Sequence, residues 1–362
     1  MAAYTTIDDP EAYFQTQNYT ANGTAIASGG LTVTFDGTTD MQPDLVTLKM
    51  LGDSNLGHYY DSVRGVTKLW YEQVNSTGGT DTEGLTAFNS DGFTIGNSGN
   101  INTNDTTLNR HLNRTKSWKA GTTSGITTDG NTTITPGSYS FNQTAGFSII
   151  QYTGNYTQGA KLAHGLGAVP HYWIMKSVSD ADDWFVYHHK NTAAPETDVL
   201  LRNTTAATID EPDYWNDTAP DSVHITLGDD TGVNENSDTH LAYVWSEKQG
   251  YSKFGTYEGN GNADGTFVFC GFRPAYIMTK SIDSTSDWQK YDHKGLGYNP
   301  HNRWLNANNQ TPVEVTTVTL DILSNGFKMR TASDPNVAET YIYVAFAYQP
   351  FVNSEGVPCN AR

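Results

Sequence analysis

Pro170-His171-Tyr172-Trp173-Ile174-Met175-Lys176, followed by Trp184-Phe185-Val186-Tyr187, decides how this chain is read. Each is a short run with the aromatic and β-branched content of a strand, entered through a proline or a polar turn. The frame is written three times. Pro43, Lys49 and Tyr60 have the spacing of Pro170, Lys176 and Tyr187, and so do Pro274, Lys280 and Tyr291. Pro170 and Pro274 are 104 residues apart, as are Tyr187 and Tyr291. Self-similarity at that period marks a chain of repeated units.

Further landmarks extend the frame outward. Tyr19 to Asn22, Tyr152 to Asn155 and Tyr257 to Asn260 open the three copies. His240-Leu241-Ala242-Tyr243-Val244-Trp245 closes the second, and Thr340 to Phe346 closes the third. In the first copy the closing strand falls near Leu112 to Trp118, which is polar and basic, so it is expected to pair differently or to be an exposed edge. These landmarks divide the chain into an N-terminal arm (1–17), a first module (18–120), a linker (121–145), a second module (146–249), a third module (250–352) and a C-terminal tail (353–362). The arm holds Glu11 to Gln15, read as a short helix or an extended piece touching a neighbouring module. The linker is nearly all Gly, Thr, Ser, Asn and Asp, which bury little. No apolar stripe of helical period stands out. Many short strands between Gly, Asn, Asp and Pro turns predict an all-β chain of three tandem antiparallel β-sandwich modules, jelly-roll or immunoglobulin-like in topology.

Composition narrows the function. The 362 residues carry a formal net charge of −18, with only 17% charged side chains, so neutral polar residues supply much of the solubility. That balance argues against nucleic acid, whose binders need a positive footprint. Arg110, Arg114, Lys116 and Lys119 form one small basic cluster, read as a locally basic surface. The start Met1-Ala2-Ala3-Tyr4 lacks the basic and apolar segments of a secretion signal, and no run is long enough to span a bilayer. Release by lysis or assembly, without membrane insertion, is therefore expected. Of two cysteines, Cys270 lies in an apolar run and reads as a buried free thiol; a bridge to Cys359 is left open.

Candidate chemistry is sparse. His188 and His189 point to opposite faces of a strand, and no Cys/His spacing suits zinc. Asp229, Asp230, Asn234 and Asp238 are dense oxygen donors in a turn-rich loop, which calcium favours. A solvated loop with Asx-turns is the weightier reading, and no cofactor is expected. Trp184 and Trp288 follow acids, a pairing that suits a sugar site of stacking aromatic and carboxylate. Their equivalent places in the repeat favour packing. No nucleophile elbow or phosphate loop is present, and no catalytic residue is identified.

Longer phrases carry a resemblance. Phe147-Ser148-Ile149-Ile150 with Tyr152-Thr153-Gly154-Asn155, His164-Gly165-Leu166-Gly167 with Pro170, and Gly250-Tyr251-Ser252-Lys253-Phe254-Gly255 resemble a family of tandem-module virion proteins of phages that infect marine and aquatic bacteria, cyanophages and pelagiphages among them. Asp61 to Val66, Phe88 to Phe93, Asn260 to Gly265, Gly271 to Pro274, Pro350-Phe351 and Asn360-Ala361-Arg362 fit it too. The resemblance covers nearly the whole chain. It implies a non-enzymatic structural protein on the outer surface of the virion, a tail fibre or fibre tip engaged in host attachment. Its implied partners are other virion proteins, further copies of itself with a trimer favoured, and a bacterial surface glycan. The alternatives are a capsid decoration with no receptor role and a carbohydrate-binding or polysaccharide-degrading protein. The basic stretch from Asn109 to Ser117 departs from the family, a change that would answer an acidic partner surface.

Overall fold

The computed structural model describes residues 4–107, 110–295, 298–311 and 319–359. Asn360 to Arg362, part of the resemblance above, lie outside them. Regular structure is almost entirely antiparallel strands, with two helices of four residues, Pro212–Trp215 and Thr231–Asn234.

Three large sheets share one strand order. In the second, the opening strand Phe147–Thr153 pairs with the closing strand Thr239–Trp245. The closing strand pairs on its other side with Tyr172–Ser177, which is followed by Phe185–His188 and Asp198–Leu201. The first sheet runs Phe14–Thr20, Leu112–Trp118, Leu45–Met50, His58–Asp61, Lys68–Tyr71. The third runs Ser252–Glu258, Thr340–Pro350, Phe272–Ser281, Gln289–Asp292, Leu305–Asn306. A small two- or three-stranded sheet accompanies each; in the third repeat it is Phe267–Phe269, Gly326–Met329 and Leu320–Leu323.

The jelly-roll and immunoglobulin-like expectation is overturned. The sheets are open, and none closes into a barrel or curls strongly. The physical reason lies in what the two faces of each large sheet cover. One face packs on its own small sheet: Ile150, Trp173 and Met175 meet Leu162, Ile225 and Leu227, for example. The other face enters a core common to all three sheets, where Phe14, Leu45 and Trp118 join Phe147, Tyr172 and Trp245 and then Phe254, Tyr276 and Phe346. Strands buried on both faces read as near-continuous apolar runs rather than alternating ones. Tyr172–Ser177, buried at every position, is such a strand.

Two segments outside the expected modules, the arm and the linker, contribute strands to the sheets. Residues 14–17 of the arm begin the first sheet's opening strand, and Ile7 lies in the common core. Within the linker, Ser138–Asn142 is the edge strand of the second sheet, and Ile134 is buried in the second repeat's core, bridged to Leu162.

The exposed-edge expectation for Leu112–Trp118 is also corrected. This strand sits between Phe14–Thr20 and Leu45–Met50, and Asn113 through Trp118 are all buried. Arg114 and Lys116 are therefore interior residues and not part of a basic surface.

Candidate functional site

The landmark residues occupy matching places in the three sheets. Val46 pairs with Tyr60, Trp173 with Tyr187, and Ile277 with Tyr291 across neighbouring strands. Pro274 sits where the register shifts, a position that tolerates its missing N–H. Lys49, Lys176 and Lys280 are buried, and each ammonium donates to a carbonyl of the loop that follows, Asn55, Asp182 and Ser284, with Lys280 also donating to Ser281 at the end of its own strand. Burial pushes all three down to about 8. The lysines buckle a loop back onto its strand.

A second triplet was missed by the sequence reading. The hydroxyls of Tyr19, Tyr152 and Tyr257 donate to the carbonyls of Ile101, Val233 and Pro335 at 2.8, 2.6 and 2.7 Å. The residue after each carbonyl is a fully buried asparagine: Asn102, Asn234 and Asn336. Asn102 and Asn234 accept from the backbone N–H of Asn22 and Asn155 at 2.8 and 2.9 Å, and Asn336 from that of Asn260 at 3.3 Å. Three exposed polar loops are thus pinned by one device. The signal was present as the Tyr-to-Asn openings, but the pinning asparagine lies some 80 residues away, as in Asn22 to Asn102 (|i−j| of 80).

This device engages Asn234, one of the four calcium candidates. The side-chain oxygen of Asn234 accepts from the Asn155 N–H, and its amide N–H donates to the Gly228 carbonyl at 2.7 Å. Asp230 caps the helix Thr231–Asn234 by accepting from Gly232 at 2.8 Å. Asp229, Asp230 and Asp238 therefore flank a residue already used, and among the described residues no group of three His, Cys, Asp or Glu is placed to hold a metal. The glycan candidates are interior too. Trp184 and Trp288 are 0% exposed, so neither indole has a face for a sugar. Cys270 is buried, and both cysteines are free.

The groups with chemical potential meet where the sheets meet. Tyr243 of the second repeat donates to Asp61 of the first at 2.9 Å. Lys116 of the first lies 3.7 Å from Asp292 of the third, which also binds Arg114 at 3.1 Å. His188 of the second contacts the Tyr343 carbonyl of the third at 3.1 Å. Asp61, His188 and Asp292 each follow a landmark tyrosine, so one position serves all three seams. The tryptophans follow the same cycle: Trp184 donates to Val74 at 3.2 Å and Trp288 to Leu201 at 3.0 Å. The first repeat has Gly57 at that place. Beside it, Glu72 binds Arg202 of the second repeat at 2.7 Å and Lys290 of the third.

Burial works against the charges of Glu72 and Asp292. The facing cations prevail and hold both carboxyls down at about 2. Burial pushes Lys116 down to about 8 against the pull of Asp292, and pushes His188 down to about 3, where it stays neutral. These are ion pairs and hydrogen bonds between packed surfaces.

The chain matches the family model described as "Domain of unknown function (DUF7483)" over residues 9–350. It belongs to that family. The DUF7483 match takes in all three large sheets and their common core as one unit. No curated protein and no solved structure matches the chain. Among the described residues no helix is long and apolar enough to cross a membrane.

Proposed function

We propose that this chain is a non-enzymatic structural protein of a phage particle, displayed on its outer surface as part of a tail fibre or fibre tip that meets the host. The observation that carries the reading is the division of labour between interior and surface. Aromatic side chains and a few paired charges are gathered into the seams, while each repeat presents an exposed polar loop held by a buried asparagine. A rigid scaffold bearing preordered loops loses little entropy on binding, which suits recognition more than turnover. The resemblance of the glycine-rich and aromatic phrases to virion proteins supplies the setting. Because the inner faces are already covered within one chain, self-association into a trimer, and contact with other virion proteins, would use the outer faces.

Labelled-antibody imaging of intact particles tests the location, and is expected to place the chain at a fibre or tail tip. Soluble protein added before infection is expected to block adsorption. Label on the capsid with adsorption unaffected would replace this reading with that of a decoration. Shortening of host polysaccharide by the purified protein would replace it with an enzyme.

A further inference from the structure

One position breaks the likeness of the three pinned loops. Four residues beyond the anchoring Tyr19, Tyr152 and Tyr257 stand Gly23, Tyr156 and Gly261. All three have positive φ, at +68°, +51° and +61°. The N–H of Tyr156 donates to the Asn234 carbonyl at 2.8 Å, and that of Gly261 to the Asn336 carbonyl at 2.7 Å, so the two hold one place in the device. A left-handed backbone is open to glycine and unfavourable for a residue with a Cβ. The first and third repeats meet that demand with glycine. The second keeps a tyrosine there.

No hydrogen bond or ring contact inside the protein offsets that strain. The Tyr156 side chain is 51% exposed, and among the described residues its ring stacks on no aromatic ring and its hydroxyl makes no hydrogen bond. The strain is also gathered. Of the five described non-glycine residues with positive φ, four are Tyr156, Asn216, Asp217 and Ser237. Their loops meet: the Ser237 N–H donates to the Gly154 carbonyl at 3.0 Å, and Asn216 Nδ2 lies 3.6 Å from where a Cβ would stand on Gly159. Backbone strain that the surroundings hold in place is a feature of binding sites, and here the buried Asn234 holds it.

The composition of these loops decides the ligand. Residues 154–159, 216–221 and 235–238 carry Asp217, Asp221, Glu235 and Asp238 and no Lys or Arg, which disfavours an anion. Apart from Tyr156 they hold no aromatic or large aliphatic side chain, so they lack the apolar cluster of a protein–protein hot spot. The ring supplies a rigid apolar face, and the amides and hydroxyls around it supply adaptable hydrogen bonds. We propose that Tyr156 is the stacking platform of a subsite for one neutral hexose of a glycan chain, with the sugar's C–H face on the ring and its hydroxyls on the loop amides and hydroxyls. This rests on the reading of the pinned loops as the surface that meets the host, and narrows it to one loop and one ligand class.

Calorimetric titration of the full chain with maltohexaose, laminarihexaose, mannohexaose and galactohexaose, and with hexagalacturonate as the anionic control, tests it. At least one neutral sugar is expected to bind, with little change as salt is raised, and hexagalacturonate is expected not to bind. Tyr156→Gly places there the residue found at Gly23 and Gly261, so its thermal midpoint is expected at or above the parent's. Its affinity is expected to fall by about tenfold or more, the scale of a lost aromatic anchor. Tyr156→Phe keeps the ring face and is expected to stay within about threefold of the parent. Four outcomes would each overturn the proposal: no neutral sugar bound, tighter binding of hexagalacturonate, unchanged affinity in Tyr156→Gly, or a midpoint lowered by Tyr156→Gly, which would give the ring a packing role. The titration uses no particle, so a chain imaged on the capsid would leave the sugar site intact, and a failed titration would leave the imaged location intact.

Discussion

The closing strands of the first and second repeats hold the same place by opposite chemistry. Arg114 and Lys116 face the common core from Leu112–Trp118, where Leu241 and Tyr243 face it from Thr239–Trp245. Both strands lie between an opening strand and the proline-to-lysine strand, and both are buried. The second is held by apolar area and one hydroxyl on Asp61; the first by an Arg–Lys–Asp cluster with 3% and 7% exposed cations. A strand's place in a sheet is therefore set by backbone pairing and by what answers it across the seam, and polarity alone does not send it to the edge. Buried ion clusters add little net stability over a well-packed apolar equivalent, but they are costly to break. They also fix which surfaces meet, since a mismatched pairing would strand a charge.

The largest expected effect comes from removing the answer to that cluster. Asp292→Ala leaves Arg114 and Lys116 buried and unpaired, and is expected to cost about 3–5 kcal/mol in denaturant unfolding. Writing the third repeat's apolar pattern into the first, as Arg114→Ile with Lys116→Val and Asp292→Leu, is expected to recover the parent's stability to within about 1 kcal/mol or better. A triple variant as weak as Asp292→Ala would mean that the two strands are not interchangeable.

Acid probes the same seams without mutation. Glu72 and Asp292 sit at about 2, below their ordinary 4.5 and 3.8. A carboxyl depressed on folding contributes stability that is present above its unfolded value and is lost as pH falls through its folded one. Each is expected to withdraw about 2–3 kcal/mol between pH 4.5 and pH 2, measurable as a falling unfolding midpoint. Glu72→Gln combined with Asp292→Asn should flatten that fall.

The pinned loops sharpen the comparison by being alike in all three repeats. Asn234→Ala orphans the Asn155 N–H and the Gly228 carbonyl, and is expected to cost about 2 kcal/mol, as are Asn102→Ala and Asn336→Ala. Divergent values would break the equivalence. The smallest effect is expected from calcium: with Asn234 already engaged, adding the ion or a chelator should leave the thermal midpoint unchanged. A shift with calcium would restore Asp229, Asp230 and Asp238 as ligands.

The strands were legible because proline, lysine and tyrosine recur in one register. The face-to-face packing was legible only in part. Tyr172 to Met175 is apolar without alternation, which is the mark of burial on two sides, whereas a jelly-roll or immunoglobulin-like unit buries one face of each sheet. Trp184 and Trp288 could not be placed from their neighbours, because the carbonyls they bind belong to another repeat. Arg114 and Lys116 misled for the same reason: Asp292 answers them from 178 residues away in the case of Arg114.

The central claim is that the three repeats form one unit closed around a common core. Differential scanning calorimetry of the full chain, set beside Asp292→Ala, tests it most directly. A single transition is expected, with calorimetric and van't Hoff enthalpies that agree, moved as a whole to lower temperature by the substitution. Two or three separate transitions, of which Asp292→Ala moves only one, would contradict it.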